Sequence, residues 1–168
     1  MKNIYFILTF FWCASLQAMT ANEGDQTLIT VTGSITNAPA CRINNNDRID
    51  VDFGDNIELS LLDGVSYKKT QLIYDLQCQD LPNVALTMTI TGADASFGTG
   101  LIQTDKTSLG IRLFNGSIPF NNRESIPFTY DVSGSTHPDL WAVLIADNQG
   151  TLTSGGFNSS AILVIDYQ

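Results

Sequence analysis

The chain has 168 residues, 8 Lys and Arg against 17 Asp and Glu, a single His and a formal net charge of −9 at pH 7. That length suits about one domain. The acidic excess argues against nucleic acid and anionic membrane surfaces as partners, and one histidine leaves too few ligands for a metal centre.

At the front, Lys2 gives a short positive start and residues 4–12 are an almost unbroken apolar run. Small and polar residues follow in Ala14-Ser15-Leu16-Gln17-Ala18. This is the layout of a secretory signal peptide. The run is shorter than the roughly 20 residues that span a bilayer. Cleavage is expected after Ala18, with Ala21 as the second choice. Residues 1–18 would then be lost, Cys13 among them. Cys41 and Cys78 are the two cysteines that remain, and export makes a disulfide between them the expected state.

Residues 27–35 alternate next: Ile29, Val31 and Ile35 on one side, Thr30, Thr32 and Ser34 on the other. Residues 84–91 do the same with Val84, Leu86, Met88 and Ile90. Period two with Thr on the second face marks a half-buried strand. The same reading predicts strands at 49–53, 70–78, 109–114, 126–132, 140–146 and 160–167. Turn signals separate them, among them Asp63-Gly64, Asn115-Gly116 and Gly155-Gly156. No window holds a helical period with caps. Many short strands at this spacing predict an all-β sandwich or barrel.

The two ends do not match. The last strand, Ala161-Ile-Leu-Val-Ile-Asp-Tyr167, is apolar on both faces. Such a strand is normally central, yet only Gln168 follows it. The front carries a strand with only the short polar run 22–26 before it. One strand too many at the start and one too few at the finish is the expectation.

Catalytic chemistry finds little footing. A Ser–His–Asp triad would need His137, beside Pro138 in a polar turn, where a histidine is expected to be solvated. The run Asp47, Asp50, Asp52, Asp55 and Glu58 lacks the Asp-x-Asp-x-Asp-Gly spacing of a calcium loop and reads as a solvated strand face with its turns. Trp141, in Leu140-Trp-Ala-Val-Leu-Ile145, is expected in the core or lining a groove. No enzyme activity, cofactor or metal is expected.

Five features, in order, carry a family resemblance: Ile29-Thr-Val-Thr-Gly33; Pro39-Ala-Cys41 with Tyr74-Asp-Leu-Gln-Cys78; Val51-Asp-Phe-Gly54; Leu109-Gly-Ile-Arg-Leu113; and Gly155 followed by Ala161, Leu163, Ile165 and Tyr167. Over essentially the whole length after residue 18, the chain resembles the pilin subunits of chaperone–usher fimbriae. The resemblance implies an immunoglobulin-like β-sandwich that lacks its final strand and carries an N-terminal donor-strand extension. Residues 19–35 would be that extension and 36–168 the pilin domain.

It also implies assembly by β-augmentation, in which a neighbour's strand completes an open sheet. Thr27, Ile29, Val31, Gly33 and Ile35 would be the donor residues, with Gly33 allowing close backbone approach. Gly155, Ala161, Leu163, Ile165, Tyr167 and Gln168 would border the acceptor groove and meet the periplasmic chaperone. The other partners implied are an outer-membrane usher and neighbouring pilin subunits, and the destination is a fimbria on the bacterial surface. A minor subunit near the tip is favoured over a major shaft subunit, because residues 109–114, Ile118-Pro-Phe120 and the Trp141 strand resemble minor pilins more. The remaining alternative is a secreted β-sandwich module that binds sugar or a host protein.

Overall fold

The computed structural model describes residues 29–33, 41–79, 83–131 and 137–168. The expected signal peptide, Thr27 and Ile35 lie outside them. The chain divides into two units, Met1–Thr36 and Asn37–Gln168. In the first, residues 29–33 are exposed and belong to no strand.

The described residues of the second unit form ten strands: β1 (Cys41–Ile43), β2 (Thr70–Gln71), β3 (Leu76–Cys78), β4 (Asn83–Gly92), β5 (Ile102–Gln103), β6 (Leu109–Asn115), β7 (Ile118–Phe120), β8 (Ser125–Asp131), β9 (Leu140–Ala146) and β10 (Ala161–Tyr167). Two single 3₁₀ turns, Asn44–Asn46 and Leu59–Leu61, are the only helical pieces among the described residues. One sheet runs β10-β4-β8 and a second runs β2-β9-β6-β5, with β7 also paired to β6; β1 and β3 form a separate ribbon. All pairs are antiparallel. The β6–β7 hairpin turns through Gly116-Ser117, where Gly116 takes φ +60°; a two-residue loop needs that positive φ and glycine supplies it without a steric cost.

Pairing register sets which side chains meet. Leu86, Met88 and Ile90 of β4 stand opposite Tyr167, Ile165 and Leu163 of β10, and Leu86 and Met88 opposite Phe128 and Ile126 of β8. This inner face packs in one cluster with Leu109, Ile111 and Leu113 of β6 and Leu140, Ala142 and Leu144 of β9. The two larger sheets thus form an open sandwich. The second face of β9 is also covered, which is why its sequence is apolar throughout. Val143 is fully buried there, and the 59–69 connection lies over it, with an Asp63–Ile145 bridge and Arg112 donating to the Gly64 carbonyl at 3.3 Å. Asp63 fixes that connection: its carboxylate accepts from the Ser66 hydroxyl at 2.7 Å and from the backbone N–H groups of Val65, Ser66 and Tyr67. These bonds, the Ser66 hydroxyl first, hold the Asp63 carboxyl well below the ordinary carboxylate range.

Three expected strands differ. Of the half-buried strand expected over 27–35, the described residues 29–33 are exposed and in no strand. Residues 49–53 form none, although Ile49, Val51 and Phe53 pack inward and Asp50 and Asp52 are exposed. Side-chain period reports which way residues face, and here the backbone has no neighbour to pair with. Residues 70–78 break at 72–75 because the segment crosses between sheets: β2 pairs with β9 and β3 with β1. Its alternation survives the crossing, since Leu72, Tyr74, Leu76 and Cys78 all face the same core.

Cys41 and Cys78 are disulfide-bonded across the β1–β3 ribbon, 37 positions apart in sequence. In the chain-entropy picture such a loop stabilises by roughly 3–4 kcal/mol, a large share of a domain's roughly 5–15. Replacing both cysteines by Ser is expected to lower the unfolding free energy by about that amount; denaturant unfolding of oxidised wild type and variant measures it, and matching midpoints would contradict it.

Candidate functional site: an open groove between two lips

A groove of about 1030 Å³ opens between the two larger sheets. Its floor is the core-facing side of β6 and β9, with Leu109, Ile111, Leu113, Ala142 and Leu144, joined by Ile90 and Ile102. One lip is the extended segment 48–57. Ile49, Val51, Phe53 and Ile57 point to the core, while Asp50, Asp52 and Asp55 stay in water. The other lip is segment 152–160, running into Ala161 and Leu163 of β10. The lips come together where the Phe53 and Phe157 rings pack with centroids 6.0 Å apart.

Among the described residues, residues 49–53 and the outer edge of β10 pair with no strand. β10 is the edge of its sheet, with β4 on one side and no strand of the described residues on the other. Its side chains are apolar on both faces, and Ile162 and Val164 are exposed. Residues 49–53 belong to no sheet. Free N–H and C=O groups beside an apolar trough make a template for another strand, and an apolar hollow left in water is a standing cost.

The six residues expected at this site are placed as follows. Gly155, with φ +107°, Ala161 and Leu163 line the groove. Ile165 is half-buried in the core beneath β10, opposite Met88. The Tyr167 hydroxyl lies 3.2 Å from Cys41 Sγ, and the Gln168 N–H donates to the Ala85 carbonyl at 3.2 Å. Of the expected donor residues, Ile29, Val31 and Gly33 are described and exposed. Sequence reasoning missed Leu152 and Phe157 as groove residues; the available signal was two isolated apolar side chains in a Gly-, Ser- and Thr-rich loop.

A family model for fimbrial protein matches residues 29–168. The chain belongs to the fimbrial protein family. Among relatives, it is 29% identical to the uncharacterised fimbrial-like protein YfcQ of Escherichia coli K12, over 95% of this chain and 98% of that one. The fold is that of solved pilus subunits. The P pilus adaptor subunit PapF matches 77% of this chain and 97% of its own at a TM-score of 0.55 and 23% identity. The P pilus rod subunit PapA matches 76% and 99%, at 0.60 and 18%. The architecture of this fimbrial protein is therefore an incomplete immunoglobulin-like β-sandwich.

Two other residues of the fimbrial protein sit elsewhere than the sequence suggested. Trp141 is neither in the main core nor in the groove. It lies half-buried on the outer face of β9, opposite Phe114, where its Nε1 donates to Asp139 at 2.8 Å. Lys69 stands 4.7 Å from the Phe114 ring centroid and 5.3 Å from that of Trp141. The Trp141 and Gln71 hydrogen bonds hold the Asp139 carboxyl below its ordinary range. His137 is packed rather than solvated: its ring is 4.9 Å from that of Tyr74, and its Nδ1 is 3.2 Å from the Tyr74 hydroxyl. That hydroxyl donates to the Pro138 carbonyl, and burial pushes the phenol's pKa up. These contacts pin the start of β9 to the segment between β2 and β3. The acidic run is solvated as expected, with all five side chains exposed.

Proposed function

We propose that this fimbrial protein is a minor, non-catalytic structural subunit of a chaperone–usher pilus that accepts a strand in its groove and donates one to a neighbour. The supporting observation is the groove itself: an apolar trough flanked by residues 49–53 and by the outer edge of β10, neither paired with a strand of the described residues. A strand laid between β10 and residues 49–53 gains main-chain bonds along either edge, and its alternate side chains enter the trough. In this reading residues 1–18 direct export to the periplasm and are removed. Residues 19–35 are the donor extension, with Thr27, Ile29, Val31, Gly33 and Ile35 facing the next groove, and 36–168 form the acceptor domain. A periplasmic chaperone covers β10 until an outer-membrane usher exchanges it for the neighbour, and the fibre stands on the cell surface. The resemblance of residues 109–114, Ile118-Pro-Phe120 and the Trp141 strand to minor pilins supports a minor subunit over a major shaft subunit.

The test is occupancy. A labelled peptide of residues 27–36 is added to the folded chain lacking its own residues 19–35, purified from the periplasm. Stoichiometric uptake, with a rise in the unfolding midpoint, is the expected result. A stable monomer that takes up no peptide would instead favour a self-sufficient secreted binding module.

A further inference from the structure

The second lip, 152–160, is irregular, and an apolar hollow in water favours collapse of whatever borders it. Leu152 and Phe157 already turn inward against the core. What restrains the lip is a line of hydrogen bonds to the β5–β6 connection. Asp105 and Asn158 bond reciprocally: the Asp105 N–H donates to the Asn158 carbonyl at 2.9 Å, and the Asn158 N–H to the Asp105 carboxylate at 3.0 Å. Asn158 Nδ2 reaches the other carboxylate oxygen at 3.4 Å. Lys106 Nζ donates to the Ser154 carbonyl at 3.2 Å, and the Ser159 hydroxyl to the Gln103 carbonyl.

The anchor is itself firm. Buried Thr104 accepts from the Lys106 N–H at 3.1 Å, and its hydroxyl lies 2.8 Å from the Leu109 carbonyl. Among the described residues the first lip is held by fewer bonds: Asn44 Nδ2 to the Arg48 carbonyl at 3.2 Å, Lys68 Nζ to the Asp55 carbonyl and, at its far end, the Glu58 N–H to the Tyr67 hydroxyl.

We propose that Asp105 is a positioning residue that holds the 152–160 lip off the groove floor, so that the groove stays open to an incoming strand. Lys106 and Ser159 extend the same tether, and adjustment on strand entry falls to the more lightly held 48–57 lip. This rests on the strand-acceptor reading. It goes beyond that reading by assigning the open state to residues outside the groove lining. The Asn158 N–H, the largest influence on it, keeps the Asp105 carboxyl below the ordinary range, so the tether is ionised at neutral pH.

The experiment compares wild type, Asp105→Ala and Asp105→Asn, each lacking residues 19–35, with the labelled 27–36 peptide as probe. Asp105→Ala is expected to slow peptide entry at least about tenfold, the rate change of roughly one lost charge-assisted bond. The midpoint of the peptide-filled form stays at the wild-type value, and amide exchange over residues 153–160 of the empty form accelerates. Asp105→Asn keeps an acceptor for the Asn158 N–H and restores most of the rate. Wild-type entry rates in Asp105→Ala, faster entry, unchanged lip exchange, or a filled form destabilised in step with the rate would each overturn the proposal. Failure of wild type itself to take up peptide would overturn the acceptor reading instead, and with it this one; the exchange measurement on the empty form separates the two.

Discussion

A chain carrying both Ile29→Asp and Val31→Asp is expected to fold, to be captured by a periplasmic chaperone and to yield short fibres or none. Among the described residues the core cluster is drawn from Cys41 onward, so the acceptor domain is expected to keep its fold. The proposed donor role is what these changes are expected to remove. Ile29 and Val31 are the large side chains that a neighbour's groove would bury, worth roughly 1.5–3 kcal/mol each. Two carboxylates in an apolar trough would cost several kcal/mol with no partner to offset them. Chaperone co-purification reads folding, and electron microscopy of surface extracts reads assembly. Loss of chaperone capture would mean that residues 27–35 serve their own domain. Normal fibres would mean that they are no donor.

Leu163→Asp is expected to act earlier, abolishing chaperone capture and leaving the chain to periplasmic proteolysis. Leu163 lines the groove and packs on the core opposite Ile90. A charge there removes apolar contact and desolvates a carboxylate, a loss of several kcal/mol against a total of roughly 5–15. Ile162→Asp provides the contrast. It lies on the same strand but faces outward and is 66% exposed, so it leaves folding intact and the edge hydrogen bonds of β10 in place. Periplasmic abundance and co-purified chaperone are the readouts. Wild-type behaviour of Leu163→Asp, or equal loss in both variants, would count against the groove-bordering role of this strand.

Sequence reading succeeded where one strand has one wet face. Val84, Leu86, Met88 and Ile90 alternate with Ala85, Thr87 and Thr89, and β4 follows that alternation in register with both neighbours. The unusual last strand was also legible, because apolar side chains on both faces call for a neighbour that the sheet order does not supply. Period two could not tell facing from pairing, so residues 49–53 read as a strand. It could not see a change of sheet, so 70–78 read as one. β1, β5 and β7, of two or three residues each, are too short to show any period. Trp141 was misplaced because β9 is covered on both sides, which removes the contrast that separates inner from outer. The tether at Asp105 was out of reach for a different reason: it joins residues 53 positions apart through polar side chains, and polar residues in loops carry no period at all.

The disulfide also decides how the subunit bears tension. A pull transmitted along the backbone toward the domain arrives at Cys41, the first residue of β1. Three paired residues of a short ribbon would unzip one after another under such a load. The bond to Cys78 gives the force a covalent shortcut into β3. Residues 42–77 lie outside that covalent path and are held to the sheets separately, through the β2–β9 pairing and the Asp63–Ile145 bridge. The 48–57 lip lies inside this bypassed stretch, so a pull from the front of the chain reaches β3 without passing along that wall of the groove.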